Sequence, residues 1–276
     1  MLRPWLGLPG AQEQLAHWSE LTELDLLRFG TDGSADELRD TAVAQPLLTA
    51  TALLSARGLR PDAVCGHSIG ELTAAAVAGV LTPDEAVELA AARGAAMAAA
   101  AAQAPTGLAA VLGGDDADVR RAAADLGLDV ATVNVAGQLV LGGPVDALDA
   151  LAAAPPARAR VRRLDVAGAF HTRAMQPAVE ELRRRVDALV PGTPTCPVVA
   201  NADGAWVTDG REVLDRLVGQ LTGAVRFDLC LAALADATTV VELAPGGVLA
   251  GLAKRALPGA RIVALKTPAD LPVGVA

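Results

Sequence analysis

The pentapeptide Gly66-His67-Ser68-Ile69-Gly70 constrains this chain more than any other feature. A G-x-S-x-G run carries structural meaning only where a strand leads into it and a helix leads out. Both conditions hold in this sequence. Ala63-Val64-Cys65 reads as the end of a short buried strand, and residues 71–78 are mostly helix formers. A serine on such a bend presents its hydroxyl to substrate, with its own amide near a helix N-terminus. The flanking Gly66 and Gly70 are expected because a side chain at either would clash where the backbone folds back. Position 68 therefore reads as a nucleophilic serine.

The 276 residues suffice to bury a substantial core, as one large domain or a large domain with a smaller insert. Hydrophobic residues make up 52% but aromatics only 2%, with no Tyr, so the core is built from Ala, Val and Leu. That suits tightly packed helices on a parallel sheet. A net charge of −9 without a long Lys/Arg tract argues against a nucleic-acid partner. Membrane insertion is not expected either. The uncharged run 41–56 is short and carries Gln45-Pro46, and the run 94–114 is interrupted by Gln103 and Pro105. No charged-then-apolar leader opens the chain, so a cytoplasmic location is expected. Cys65, Cys196 and Cys230 read as reduced core cysteines. His17, His67 and His171 fall at no ligand spacing, so neither a metal nor another cofactor is expected.

Apolar spacing predicts helices in the first thirty residues, then one helix over 36–58 and another from Pro83 through residue 102. Residues 107–166 then alternate as strand, helix, strand, strand, helix, strand, the split βαβ order of a ferredoxin-like unit. The predicted organisation is α/β: a large domain with a parallel sheet, residues 1–106 and 167–276, holding a ferredoxin-like insert at 107–166. Beyond the insert, strands are expected at 197–200, 239–243 and 261–265, separated by helices.

A serine hydroxyl needs a neighbouring base. His67 sits on the bend and is expected to point away, and His17 lies on a surface helix. His171, in Ala169-Phe170-His171 between a strand end and a helix, is the better candidate. Arg93 lies in an Ala-rich helix whose small neighbours cannot shield it. It either pairs with a buried carboxylate or grips an anionic substrate through its planar fork. Gln45 and Asn134 are amides on candidate site segments. Their structural alternatives are a helix cap and an Asn-x-x-Gly turn.

Together these segments resemble the malonyl-CoA:acyl carrier protein transacylases and the related acyltransferase domains of polyketide synthases. The resemblance rests on Gln45-Pro46, Gly66 through Glu71, Arg93-Gly94 with Met97, Asn134 through Gln138, Ala169-Phe170-His171 with Met175, and Pro245-Gly246-Gly247 before Leu249. It implies an α/β-hydrolase-like domain with a ferredoxin-like insert. It also implies that Ser68 attacks a malonyl thioester, that His171 takes its proton, and that Arg93 holds the malonyl carboxylate. The acyl group would pass from CoA to the phosphopantetheine thiol of acyl carrier protein. The Ile69 amide would stabilise the oxyanion, and the Phe170 ring would crowd the α-carbon and so favour malonyl over methylmalonyl units. In this family a backbone carbonyl orients the histidine, and the segment around Ala244-Pro245 is expected to supply it. The family opens with a strand and a Pro-Gly-Gln-Gly loop bearing a second oxyanion donor. Pro9-Gly10-Ala11-Gln12 does not match that context, so the chain is expected to begin late relative to the family and to lack the donor.

Two other readings remain at this point. A serine hydrolase or editing thioesterase would use the same bend, with Asp146, Asp149 or Asp165 completing a Ser-Asp-His order. An inactive remnant would bind carrier protein without chemistry. The expected partners are malonyl-CoA and acyl carrier protein, with the chain a monomer. Carrier proteins are acidic, so docking would need a local basic patch. Arg158, Arg160, Arg162 and Arg163, the run Arg183 to Arg185, and Lys254-Arg255 are the candidates.

Overall fold

The computed structural model describes residues 1–271. Four helices open the chain: α1 (Ala11–Thr22), α2 (Leu26–Asp32), α3 (Ala35–Arg39) and α4 (Thr41–Ser55). The single helix expected over 36–58 is two, because Asp40 leaves the helical backbone (ψ 117°) and its side chain caps the Ala42 amide. Strand β1 (Val64–Cys65) then leads into α5 (Ile69–Val77) and the long α6 (Pro83–Ala101). Helix α6 begins where sequence chemistry dictates. Thr82 and Glu85 form a reciprocal capping box, and Pro83 occupies the first turn, where its missing N–H is harmless.

Helices α4 and α6 pack closely because their facing surfaces are small. A Cβ on Gly94 would meet the Thr41 carbonyl and the Ala42 backbone, so only glycine permits this approach beside Arg93. Their apolar faces join one main core that includes Trp5, Trp18, Leu47, Leu72, Met97 and Leu214.

Residues from 106 onward build β2 (Thr106–Gly113), α7 (Asp116–Asp125), β3 (Asp129–Val135), β4 (Gln138–Pro144), α8 (Val145–Ala153) and β5 (Ala159–Arg163). The spatial order β5-β2-β4-β3, antiparallel throughout, is that of a ferredoxin-like sheet. Its helices cover a separate core of Val111, Val119, Leu128, Leu141, Leu148 and Leu151.

The remainder comprises α9 (Gln176–Asp187), β6 (Val198–Val199), β7 (Trp206–Val207), α10 (Gly210–Gly219), β8 (Val225–Arg226), α11 (Phe227–Ala233), β9 (Thr239–Glu242), α12 (Val248–Ala256) and β10 (Arg261–Ala264). Strand β1 runs parallel to β6, which carries β7 antiparallel on its other side. Strands β9 and β10 form a separate parallel pair. The parallel ladder expected in the large part is therefore divided between two small sheets. Strand β8 was not anticipated from sequence. It adds a fifth strand to the ferredoxin-like sheet, parallel to β3 through Thr132–Val225 and Val133–Arg226.

Candidate active site

Ser68 caps α5 with φ 54° and ψ −116°, a backbone state that L-residues rarely adopt. Such strain costs about 1–3 kcal/mol and persists only where neighbours enforce it. Here the enforcement is hydrogen bonding. The Ser68 amide donates to Asn201 Oδ1 (2.9 Å), and its carbonyl accepts from Glu71 N (3.0 Å) and Gln220 Nε2 (3.2 Å). Gly66 is sterically required, because a Cβ there would collide with the Gly70 backbone. Gly70 is not. A Cβ on it would meet nothing within 4 Å, which corrects the expectation of a clash at both glycines. The bend closes on one side only, with Gly70 contributing backbone where Gly66 can contribute no side chain.

His171 also has positive φ, 63°. Its Nε2 lies 2.6 Å from Ser68 Oγ, and its Nδ1 lies 2.8 Å from the Gln220 carbonyl. A carbonyl can only accept, so Nδ1 carries the proton and Nε2 is left to accept from the serine hydroxyl. Burial pushes the imidazole down to about 3, with the nearby Arg93 charge acting in the same direction. The ring is thus a neutral base at ordinary pH. The orienting carbonyl is that of Gln220, not one near Ala244-Pro245. That segment is engaged elsewhere: the Ala244 amide donates to Ser55 Oγ on α4 (2.9 Å). The three acids weighed as triad members stand apart from His171. Asp149 pairs with Arg163 (2.6 Å) and Asp165 with Arg39 (2.8 Å), while Asp146 lies in the first turn of α8.

Arg93 is 1% exposed, and among the described residues no carboxylate lies within ion-pair distance of it. Its Nη1 donates to Gln45 Oε1 (2.6 Å) and its Nη2 to Gln220 Oε1 (2.7 Å). Burial lowers the guanidinium to about 10, so it remains a cation. Gln45 is neither a cap nor free. Its Nε2 is held by Thr41 Oγ1 (2.7 Å) and Met97 Sδ (3.3 Å), which aims its oxygen at Arg93. Asn134 sits within β3, not in a turn, and its Oδ1 meets His67 Nε2 at 2.8 Å. That contact ties the serine bend to the ferredoxin-like sheet. Phe170 packs against both the main core and the small cluster of Leu108, Ala131 and Val140. Ile69 supplies the first N–H of α5, which helix geometry leaves without an intrahelical acceptor.

Three residues of this network were given no role by the sequence reading, although Glu71 closes the motif that carries the resemblance. Asn201 follows β6 and bonds Ser68 N, Gly66 O (2.6 Å) and, through its own amide, Glu71 Oε1 (2.7 Å). Gln220 follows α10 and touches Ser68, Glu71, Arg93 and His171 at once. Glu71 is 3% exposed, and burial lifts its carboxyl to about 7. Besides its place in that motif, a lone acid in the apolar run Ile69–Val77 is the signal available for its role. Among the described residues there is no cluster of metal-ligating side chains, and no helix is long and apolar enough to cross a membrane.

A nucleophile, a neutral base, a helix-start amide and a buried cation free of carboxylate contacts make a site suited to acyl transfer through a covalent serine ester. Over residues 11–266 the chain matches the family described as acyl transferase domain. It is 48% identical to the malonyl CoA-acyl carrier protein transacylase of Mycobacterium tuberculosis, over 98% of this chain and 93% of that protein. The crystal structure of MCAT from Mycobacterium tuberculosis matches with a TM-score of 0.94 and 48% identity, covering 98% of this chain and 92% of that one. A malonyl-transacylase in complex with its type II PKS acyl-carrier protein matches with a TM-score of 0.90 and 27% identity, over 100% of this chain and 94% of that one. Sequence and fold thus define the class, an acyl transferase domain. Within it, the chain belongs to the malonyl CoA-acyl carrier protein transacylase family.

Proposed function

We propose that this protein transfers a malonyl group from CoA to the phosphopantetheine thiol of acyl carrier protein through a malonyl ester on Ser68. His171 Nε2 takes the Ser68 proton as Oγ attacks the thioester carbonyl. The Ile69 amide stabilises the oxyanion, a contribution typically worth about 3 kcal/mol of barrier. Collapse breaks the C–S bond, and the CoA sulfur leaves with the proton held by His171. In the second half His171 deprotonates the carrier-protein thiol, which attacks the ester and returns Ser68 to its hydroxyl form. Arg93 grips the free carboxylate of the malonyl group, Gln45 and Asn134 shape the surrounding pocket, and Phe170 crowds the α-carbon.

The observation that carries this reading is the buried guanidinium of Arg93, which among the described residues bonds only to amide oxygens, one of them in the network that holds Ser68. A hydrolase of neutral acyl chains has no use for such a cation. The named relatives support the substrate pair, since the curated one is a malonyl CoA-acyl carrier protein transacylase and one solved neighbour is bound to an acyl-carrier protein. On this proposal the protein acts as a monomer in the cytoplasm. For carrier docking, Lys254 and Arg255 at the end of α12 are the best of the basic candidates. Arg255 reaches Gln138 at the start of β4 (2.8 Å), beside the β3 segment that meets His67. Arg163, Arg183, Arg184 and Arg185 are instead engaged by Asp149, Asp215 and Glu181.

The test supplies labelled malonyl-CoA with holo carrier protein and measures malonyl-carrier protein against free malonate. Transfer should dominate, and Arg93→Ala should lower kcat/KM for malonyl-CoA about 100-fold, as two lost charge-assisted hydrogen bonds imply. Dominant release of malonate would overturn the proposal.

A further inference from the structure

Arg93 and Glu71 are buried in the same network and carry opposite charges once the Glu71 carboxyl ionises, above about pH 7, yet they do not touch. The side chain of Gln220 stands between them. Its Oε1 accepts from Arg93 Nη2 (2.7 Å), while its Nε2 donates to Glu71 Oε2 (2.5 Å). The amide cannot turn over. Its Nε2 also faces Asn201 Oδ1 (3.0 Å) and the Ser68 carbonyl (3.2 Å), so a flipped oxygen would meet three acceptors and its NH2 would meet a cation. On the other side of the guanidinium, Gln45 repeats the arrangement with its NH2 fastened to Thr41 and Met97. Both of these partners of the buried cation are therefore neutral.

We infer that the Gln220 side chain is a positioning residue that acts as a charge spacer, holding the Glu71 carboxylate one amide away from Arg93 so that the guanidinium stays available to a substrate carboxylate. The inference rests on the reading that Arg93 meets the malonyl carboxylate. A carboxylate in direct contact would form an internal ion pair and compete with the substrate for the same planar fork. With Glu71 set back, its field still offsets part of the cost of burying Arg93, but it occupies neither face of the fork. Both Glu71 oxygens are taken by N–H donors, Asn201 N and Gln220 Nε2, which fixes the carboxylate in the retracted position. The backbone of Gln220 meanwhile orients His171, so one residue serves the base through its carbonyl and the cation through its side chain.

The experiment exchanges the pair, Glu71→Gln with Gln220→Glu. Charge, volume and the hydrogen bond between the two positions are retained, and the carboxylate moves against Arg93. The donations from position 220 to Asn201 Oδ1 and the Ser68 carbonyl are lost, a loss common to both substrates that cancels in their ratio. Thermal unfolding verifies the fold, and kcat/KM is measured for malonyl-CoA and acetyl-CoA with carrier protein as acceptor. The expected result is a malonyl-over-acetyl ratio reduced about 10-fold or more, the scale of one charge-assisted hydrogen bond. A ratio at the parental level would overturn the spacer while leaving the proposed function intact. A parent enzyme without malonyl preference would instead remove the role of Arg93, and the spacer with it. Should the exchanged protein fail to fold, Glu71→Gln alone decides. Its malonyl preference should equal or exceed that of the parent, and a 10-fold loss would overturn the inference.

Discussion

The carbonyl oxygen of Gln220 lies 2.8 Å from His171 Nδ1, in the position where a serine hydrolase triad places a carboxylate. The imidazole is thus oriented by a neutral group that cannot stabilise an imidazolium as an aspartate does. A substitution series follows from this. His171→Ala should reduce serine acylation by about 100- to 10,000-fold, the usual scale for losing a general base. Asp146→Asn, Asp149→Asn and Asp165→Asn should leave it near the parental rate. Burst measurements of malonyl-Ser68 formation by intact-protein mass spectrometry would check both, and a collapse in any aspartate variant would restore a triad.

The two glycines of the serine bend should respond differently to the same added methyl group. Gly66→Ala forces a Cβ into the Gly70 backbone and should destabilise by about 4 kcal/mol or more, the range reserved for severe steric conflict. Gly70→Ala meets no neighbour and lies in the first turn of α5, so it should hold or raise stability, by up to about 1 kcal/mol. Denaturant unfolding of the two variants is the measurement, and equal losses would refute the one-sided closure.

Glu71 makes a pH prediction. Burial lifts its folded value to about 7 from an ordinary 4.5. Between those values the folded chain keeps a proton that the unfolded chain has released. Its stabilising contribution is therefore complete below pH 4.5 and is lost as pH rises through 7. Glu71→Gln abolishes the dependence. The unfolding free energy of the parent minus that of the variant should fall steadily from pH 4.5 to 7. His171 acts in the opposite sense, since its lowered value makes stability fall as pH drops from 6.5 toward 3, but it is common to both proteins and cancels in the difference. A flat difference would mean that the carboxyl titrates normally.

Charge reversal at Lys254 and Arg255 should raise the KM for carrier protein about 10-fold, increasingly at low salt, with the KM for malonyl-CoA unchanged. An unchanged carrier-protein KM would place the docking surface elsewhere.

The parts of the site that were legible in the sequence are those whose residue type implies their chemistry. Ser68 announced itself through Gly66 and the strand-to-helix context, and Arg93 through a charge among alanines. What stayed hidden depends on the backbone or on distant partners. Every residue has a carbonyl, so nothing distinguishes that of Gln220 from that of Ala244 until the chain is folded. Asn201 and Gln220 are ordinary amides at element ends, given meaning by contacts to Ser68 across more than a hundred residues. The ferredoxin-like order was readable because its strands run to five residues or more. Strands β7 and β8, two residues each, carry no further marker, whereas the equally short β1 and β6 were legible through the serine bend that follows one and the apolar run 197–200 around the other.

Strand β8 has a mechanical consequence. It follows Gln220 by a few residues, lies along β3, and its Arg226 amide bonds the Asn201 carbonyl (2.7 Å). The five-stranded sheet is thereby riveted to the segments that steady Ser68 and His171. Separating that sheet from the serine bend would break main-chain bonds and disturb Ser68 and His171 together. The spacing between the five-stranded sheet and the serine bend is consequently set by main-chain bonds rather than by side-chain contacts alone.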